Sequence, residues 1–278
     1  MTLSGGAALA GVVGWPVEHS LSPRLHGTWL ERYGIDGAYV PLAVAPEVFD
    51  TALRALPALG FRGVNVTVPH KEQALALCDD VEPAARRIGA VNTIVIEEGR
   101  LHGSNSDGFG FLENLRQDAP GWRAADGPAV VLGAGGASRA VVVALLDAGA
   151  PEVRLVNRTR ARAEALADDI SGAIRCWPWQ ERDMSLENAT MLVNTTTLGM
   201  AGQAPLELSL AALPSQALVT DIVYKPLETP LLALARAKGN RTVDGLGMLL
   251  HQARPGFEAW FGQRPEVDAA LRAAVLGT

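Results

Sequence analysis

Apolar residues recur along this chain in two rhythms. Short runs alternate with polar residues at a period of two or are apolar throughout. Longer stretches repeat at the helical spacing. The short runs predict strands at Leu9–Val13, Ala38–Leu42 and Gly63–Thr67, interleaved with helices over Pro23–Tyr33, Pro46–Leu59 and Pro69–Leu77. Val91–Ile96 and Leu101–His102 predict a hairpin around Glu97-Glu98-Gly99-Arg100. Asp107–Asp118 reads as a helix, and Ala119–Pro128 as a turn-rich linker. Strands follow at Ala129–Leu132, Glu152–Val156, Ala173–Cys176, Met191–Asn194, Ala217–Ile222 and Arg241–Val243. Helices are expected over Ala137–Ala148, Thr159–Asp169, Pro230–Lys238 and Leu246–Phe261, with a peripheral helix at the end of the chain. Trp177 and Trp179 are expected to pack on a sheet edge. This alternation implies an α/β class with largely parallel sheets. The chain divides near 108 into domains 1–108 and 109–243, with helices of 244–278 returning to the first.

Composition narrows the possibilities. The 278 residues suffice for one large domain or two ordinary ones, and a hydrophobic fraction of 48% supports a sizeable core. No apolar run is long enough to span a bilayer. The opening MTLSGGAALAGVVG lacks a basic flank, so it reads as a first strand rather than a signal peptide. A net charge of −6 disfavours nucleic acid as a partner. Cys78 and Cys176 form no CxxC pair and read as buried thiols in a reducing cytoplasm. Histidines 19, 26, 70, 102 and 251 form no metal motif, so no metal is expected. A small-molecule substrate and a monomer or homodimer are expected.

AVVLGAGGASRA (Ala129–Ala140) carries the first chemistry. An apolar strand meets Gly133, Gly135 and Gly136, then a helix. That is the context of a dinucleotide-binding turn. Gly133 allows the turn, and Gly135 lets the backbone approach a pyrophosphate. The helix opening at Gly136 and Ala137 offers free N–H groups to it. Ser138 stands where the third glycine of the strict pattern belongs, and an ordinary βα turn has similar glycines. The next strand leads into Asn157, Arg158 and Thr159 rather than the carboxylate that an NAD site uses about 20 residues on. Arg158, Arg160 and Arg162 follow at a helix start, where cations oppose the dipole. Arg158 and Arg162 are read as sharing a face, with Arg160 pointing elsewhere. Guanidinium forks grip a 2′-phosphate. The expected cofactor is NADP, on a Rossmann-type doubly wound sheet.

NVTVPHKE (Asn65–Glu72) ends a strand and places Pro69 and Lys71 in the first turn of a helix. Lys71 opposes that helix's dipole, which points to use in chemistry. Asp107, in GSNSDGFG (Gly103–Gly110), begins another helix. A lysine and an aspartate in one cleft can share proton transfer. A surface lysine and a helix-capping aspartate are the plain readings of the same residues.

GWPVEHSLSPRLHG (Gly14–Gly27), NVTVPHKE, GAVNT (Gly89–Thr93), NSDG, GAGGASRA, NRTRARAE (Asn157–Glu164) and DGLGMLLHQ (Asp244–Gln252) occur in this order over nearly the whole chain. Together they resemble the NADP-dependent shikimate dehydrogenase family. The resemblance implies reversible reduction of 3-dehydroshikimate to shikimate, a step toward chorismate and the aromatic amino acids. It implies that domain 1–108 binds substrate, that domain 109–243 binds NADP, and that the substrate lies in the cleft between them. Lys71 and Asp107 match the catalytic pair. Ser20 and Ser22 match the serines on the substrate carboxylate, although Ser22 before Pro23 also reads as a helix cap. Asn65, Thr67, Asn92 and Gln252 match positions around the substrate hydroxyls. Tyr224 and Gly245 match positions near substrate and nicotinamide. Asn157, Arg158, Thr159 and Arg162 match the NADP cluster, and NTTTLGM (Asn194–Met200) is expected to flank the cofactor. Ser106 departs from the family's usual threonine. The alternatives are a broader quinate/shikimate dehydrogenase and a catalytically idle NADP(H)-sensing regulator.

Overall fold

A computed structural model describes residues 2–277. The chain forms two compact units. One runs to Ser106 and resumes at Leu249; the other is Asp107–Met248.

The first unit contains β1 (Ala8–Gly14), α1 (Ser22–Arg32), β2 (Gly37–Ala43), α2 (Phe49–Ala55), β3 (Phe61–Val66), α3 (Lys71–Leu77), β4 (Asp80–Val81), α4 (Pro83–Ile88), β5 (Thr93–Glu97) and β6 (Arg100–Ser104). Its sheet has the order β2-β1-β3-β5-β6-β4. The β1 strand pairs in parallel with β2 and β3, while β5 runs antiparallel to β3 and β6. Alternation along β3 sorts its side chains. Val64 and Val66 are fully buried among Val13, Phe49, Leu53 and Ile94. Asn65 falls on the opposite face, in register with Val12 and Thr93.

Three local features differ from the sequence expectation. The helix expected over Pro46–Leu59 is a 3-10 turn, Pro46–Val48, followed by the short α2. Pro57 ends it, because proline has no N–H to donate to Leu53 O and continue the ladder. The helix expected from Pro69 begins at Lys71. Pro69 instead lies in a turn closed by the His70 N–H donating to Thr67 O at 3.0 Å, with a cis Val68–Pro69 peptide. The α4 helix was not expected; Ala85 and Ile88 are its buried positions, three residues apart, and left-handed Gly89 (φ 76°) ends it.

The second unit contains α5 (Asp107–Asp118), β7 (Ala129–Leu132), α6 (Gly136–Asp147), β8 (Val153–Asn157), α7 (Arg160–Ile170), β9 (Ile174–Pro178), β10 (Met191–Asn194), β11 (Leu218–Asp221), α8 (Pro230–Ala237) and β12 (Arg241–Val243). Its sheet is parallel throughout, in the order β12-β11-β10-β7-β8-β9. The strand order reverses between β7 and β10. Right-handed crossovers then place helices on both faces of the sheet, giving the doubly wound Rossmann architecture. Gly108 serves close packing of α5 on α6: a Cβ there would lie 3.1 Å from Ala140 O and 3.2 Å from the Ala144 Cβ. Trp177 near the end of edge strand β9 and Trp179 just beyond it pack on the core around Val130, Leu132 and Val156.

Two last helices are α9 (Leu246–Phe261) and α10 (Ala269–Leu276). From Leu249 onward they belong to the first unit. The Trp260 indole donates to Ile94 O at 3.1 Å, and Arg32 forms a two-pronged ion pair with Asp268. No helix among the described residues is long and apolar enough to cross a membrane.

Beneath α9, His26 is fully buried and stacks on Tyr39, ring centroids 3.8 Å apart and nearly coplanar. Trp29, Phe257 and Trp260 complete its surroundings. Neither imidazole nitrogen has a hydrogen-bond partner among the described residues. Burial pushes the imidazole down from 6.5 to about 3. The unfolded chain therefore takes up a proton below pH 6.5 while the folded chain stays neutral, so stability falls as pH drops through this window. Urea unfolding is expected to show a loss of about 2 kcal/mol between pH 7 and pH 5 from this residue. His26→Phe keeps the stack and should remove that component. An unchanged pH dependence in the variant would contradict this assignment.

Candidate active site

In the first unit a polar network gathers at the ends of β3, β5 and β6. The Asn65 amide donates to Asn92 O and Thr93 Oγ1, both at 3.2 Å. Its carbonyl accepts from the Tyr39 hydroxyl at 2.7 Å. Both Asn65 N–H bonds are thus committed, and its carbonyl retains one lone pair for an incoming hydroxyl. Tyr39 comes from β2 and reaches Asn65 across β1, because the parallel registers put both side chains on one face. Burial raises the Tyr39 phenol well above its usual range, against a hydrogen bond with Ser22.

Asn92 is buried at the entrance to β5. Its carbonyl accepts from the Ser106 N–H at 2.9 Å, and its amide donates to Gln252 Oε1 at 3.3 Å. The Ser106 hydroxyl lies 3.3 Å from Thr93 Oγ1. Ser106 therefore makes the network's hydroxyl contacts without the methyl of a threonine. Asp107 follows it directly, buried, as the first residue of α5. A carboxylate there suits the positive end of the helix, so a structural use coexists with any chemical one.

Lys71 is the first residue of α3, half-buried, and its carbonyl accepts from the Val91 N–H at 2.9 Å. That bond fixes the start of α3 beside the residue preceding Asn92. His70 braces the same turn. Its Nε2 donates to Val44 O at 2.7 Å, and its ring stacks on Phe49. Thr67 is half-buried at the end of β3, with a hydroxyl that has no partner among the described residues. Ser22 is the first residue of α1 and Leu21 is the cap position, so the capping reading of Ser22 is corrected. Its N–H instead donates to Ser20 Oγ at 3.2 Å. The first unit thus joins Asn65, Asn92 and Gln252 directly and links Ser22 to them through Tyr39. Tyr39, Thr93 and His70 were missed; their contacts arise between strands and loops far apart in sequence.

In the second unit the glycine-rich turn follows β7. Gly133 has φ 113°, and a Cβ there would meet Thr195 Oγ1 at 2.7 Å. A Cβ on Gly135 would meet nothing within 4 Å. That exposed glycine caps α6, whose first turn holds Gly136 and Ala137. Open space before free helix N–H groups fits a pyrophosphate. Ser138 does more than replace a glycine. Its hydroxyl accepts from the Gly135 N–H at 3.1 Å and bonds Thr195 Oγ1 at 2.6 Å.

Beside this turn is a cavity of about 590 Å³, lined by Asn157, Arg158, Trp179, Arg182, Thr196, Thr197 and Leu198 among others. Asn157 ends β8, and its amide donates to Thr159 O at 2.8 Å. Arg158 lies before α7 rather than within it, so the argument that it shares a helical face with Arg162 is corrected. Thr159 and Arg162 are exposed and outside the cavity lining. Arg160 pairs with Glu164 at 2.7 Å, whereas Arg158 and Arg162 have no partner among the described residues. An unpaired guanidinium on a cavity wall fits a phosphate monoester. Buried Asp221 shapes the adjoining loop. It accepts from Asn194, Val223 N–H and Thr229, and burial raises its carboxyl against those bonds. Tyr224 is half-buried just beyond it. Gly245 packs so closely on the Ile222 backbone that a Cβ would overlap it.

Residues 12–94 match the shikimate dehydrogenase substrate binding domain, and residues 117–201 match the shikimate/quinate 5-dehydrogenase family. Residues 245–275 match the shikimate 5′-dehydrogenase C-terminal domain. The chain is 67% identical to the shikimate dehydrogenase (NADP(+)) of Rhodospirillum rubrum, over 99% of each chain. It resembles the Thermus thermophilus shikimate 5-dehydrogenase solved with NADP(H) and shikimate (TM-score 0.86, 40% identity, 97% of this chain and 99% of that one). It also resembles the Corynebacterium glutamicum quinate dehydrogenase solved with NAD (TM-score 0.90, 32% identity, 98% and 99%).

Proposed function

The chain belongs to the shikimate dehydrogenase family, and from that premise we propose how its residues carry out NADPH-dependent reduction of 3-dehydroshikimate to shikimate. The observation that carries this reading is the uncharged network around Asn65 and Asn92, tied through Val91 to the backbone of Lys71. Uncharged amides and hydroxyls suit a substrate rich in hydroxyl groups. An ammonium suits a ketone oxygen that must gain a proton.

Ser20 and Ser22 hold the substrate carboxylate. Thr67 and Asn92 hold ring hydroxyls, and Asn65 takes one with the lone pair that Tyr39 leaves open. Gln252 orients Asn92, and Tyr224 also serves the substrate. Lys71 gives its proton to the ketone oxygen as that oxygen gains negative charge, and it takes the proton back in the reverse reaction. Asp107 shares this proton duty. NADPH, when bound, supplies the hydride. Gly133, Gly135, Gly136 and Ala137 hold its pyrophosphate. Asn157, Arg158, Thr159 and Arg162 hold the adenosine end, and Gly245 admits the nicotinamide. A cytoplasmic setting belongs to this reading and is supported by the free thiols of Cys78 and Cys176.

The purified protein, mixed with 3-dehydroshikimate and NADPH, is expected to yield shikimate and NADP⁺ in equal amounts. Proton NMR identifies the product. Persistence of the ketone would refute the reading.

A further inference from the structure

We infer that Arg182, seated on Trp179, is a second guanidinium that reads the 2′-phosphate of the nucleotide and so sets the preference for NADP over NAD. The inference rests on the cofactor reading above. The β8 and β9 strands are neighbours, and Asn157 stands in register with Pro178. The residues that follow, Arg158 and Trp179, therefore leave the sheet side by side. Both line the same cavity, and so does Arg182.

Arg182 lies between two short 3-10 turns, Trp179–Glu181 and Met184–Leu186. Its guanidinium sits over the Trp179 ring, 5.2 Å from the centroid. Its Nε donates to Glu207 O at 2.8 Å, and Nη1 donates to Trp179 O at 3.0 Å. Both acceptors are neutral main-chain carbonyls, so the positive charge is held in place without being neutralised. Of the five N–H bonds of an arginine, the other three have no partner among the described residues. The group is pre-ordered, charged and still able to donate. Such a fork matches a phosphate monoester, and two forks from adjacent strand ends match its double charge. Glu207 contributes the one carboxylate to the lining, at an exposed position where water screens it.

Arg182 also joins the turn at Trp179 to the Glu207 segment, and a purely structural staple would account for its two carbonyl bonds. The two roles separate by ligand. Loss of a staple weakens every adenine nucleotide, whereas loss of a phosphate contact weakens only those with a 2′-phosphate. The test is calorimetric binding of adenosine 2′,5′-bisphosphate and adenosine 5′-monophosphate to the wild type, Arg182→Gln, Arg182→Lys and Arg158→Gln. The wild type and all variants are measured at one ionic strength. Arg182→Gln is expected to weaken the bisphosphate about tenfold and the monophosphate less than about twofold. Arg182→Lys, which keeps the charge, should retain part of the preference and guards against misfolding of the glutamine variant. Equal weakening of both ligands, or an unchanged preference, would overturn the inference. If Arg158→Gln alone loses the preference, the cofactor reading stands and the role of Arg182 falls. If the wild type shows no preference, the cofactor reading itself fails.

Discussion

Replacing Lys71 by alanine is expected to lower kcat about 10³-fold, the scale of a lost positioned proton donor. The dissociation constant for shikimate should change less than about fivefold. Those two expectations come from different atoms. In the proposed reading, substrate binding rests on the serines, Thr67 and the asparagine network. Asn65 and Asn92 are fixed by Tyr39, Thr93, Ser106 and Gln252. The bond that joins α3 to the network uses the Lys71 carbonyl, which alanine keeps. Stability should move the other way from activity. A cation at the first position of α3 opposes the helix dipole, so the alanine variant should melt at the same temperature or slightly higher. Stopped-flow turnover, equilibrium binding of shikimate and a melting curve check the three parts. Full turnover in the variant would remove Lys71 from the chemistry.

The largest stability effect is expected at Gly63, in the strand that carries Asn65. Its φ is 156° and it is buried. A Cβ there would overlap the Ile94 carbonyl oxygen and the Trp260 indole nitrogen, the two ends of one hydrogen bond. Neither end can withdraw easily. Ile94 is held in β5, which pairs with Gly63 through Val95, and Trp260 is fully buried. Gly63→Ala is expected to cost about 3 kcal/mol or more, combining backbone strain with overpacking. Thermal unfolding should show a fall in Tm on the order of 10 °C. The variant should also bind shikimate less tightly, because Asn65 is only two residues along the displaced strand. A Tm within about 2 °C of the wild type would contradict this account of the strand.

Much of the architecture was legible in the chain because local rules and tertiary packing agree there. The strands at Ala129–Leu132, Met191–Asn194 and Arg241–Val243 and the helix at Leu246–Phe261 have the expected ends. In the first two strands and the helix, apolar runs or apolar periodicity coincide with burial. The expectation failed where local turn chemistry or a long-range partner decides. Pro69 suggested a helix start, but the Thr67–His70 turn takes up that segment and leaves Lys71 as the first helical residue. Arg158 and Arg162 lie four apart and suggest one helical face, yet α7 begins at Arg160 and leaves Arg158 outside it. The Tyr39–Asn65 bond spans two strand pairings, and the Arg182–Glu207 bond joins two loops. Neither leaves a mark on local composition. The chemistry-bearing residues were visible as motifs, while the side chains that orient them were not.

The most direct test of the account uses purified protein with shikimate or quinate and NADP⁺ or NAD⁺, in all four combinations, followed by absorbance of the reduced nicotinamide. Turnover confined to shikimate with NADP⁺ is expected, since in the proposed reading the small Ser20 and Ser22 beside the carboxylate select shikimate and the guanidinium of Arg158 selects NADP⁺. Comparable turnover with quinate or NAD⁺, or none in any combination, would contradict it.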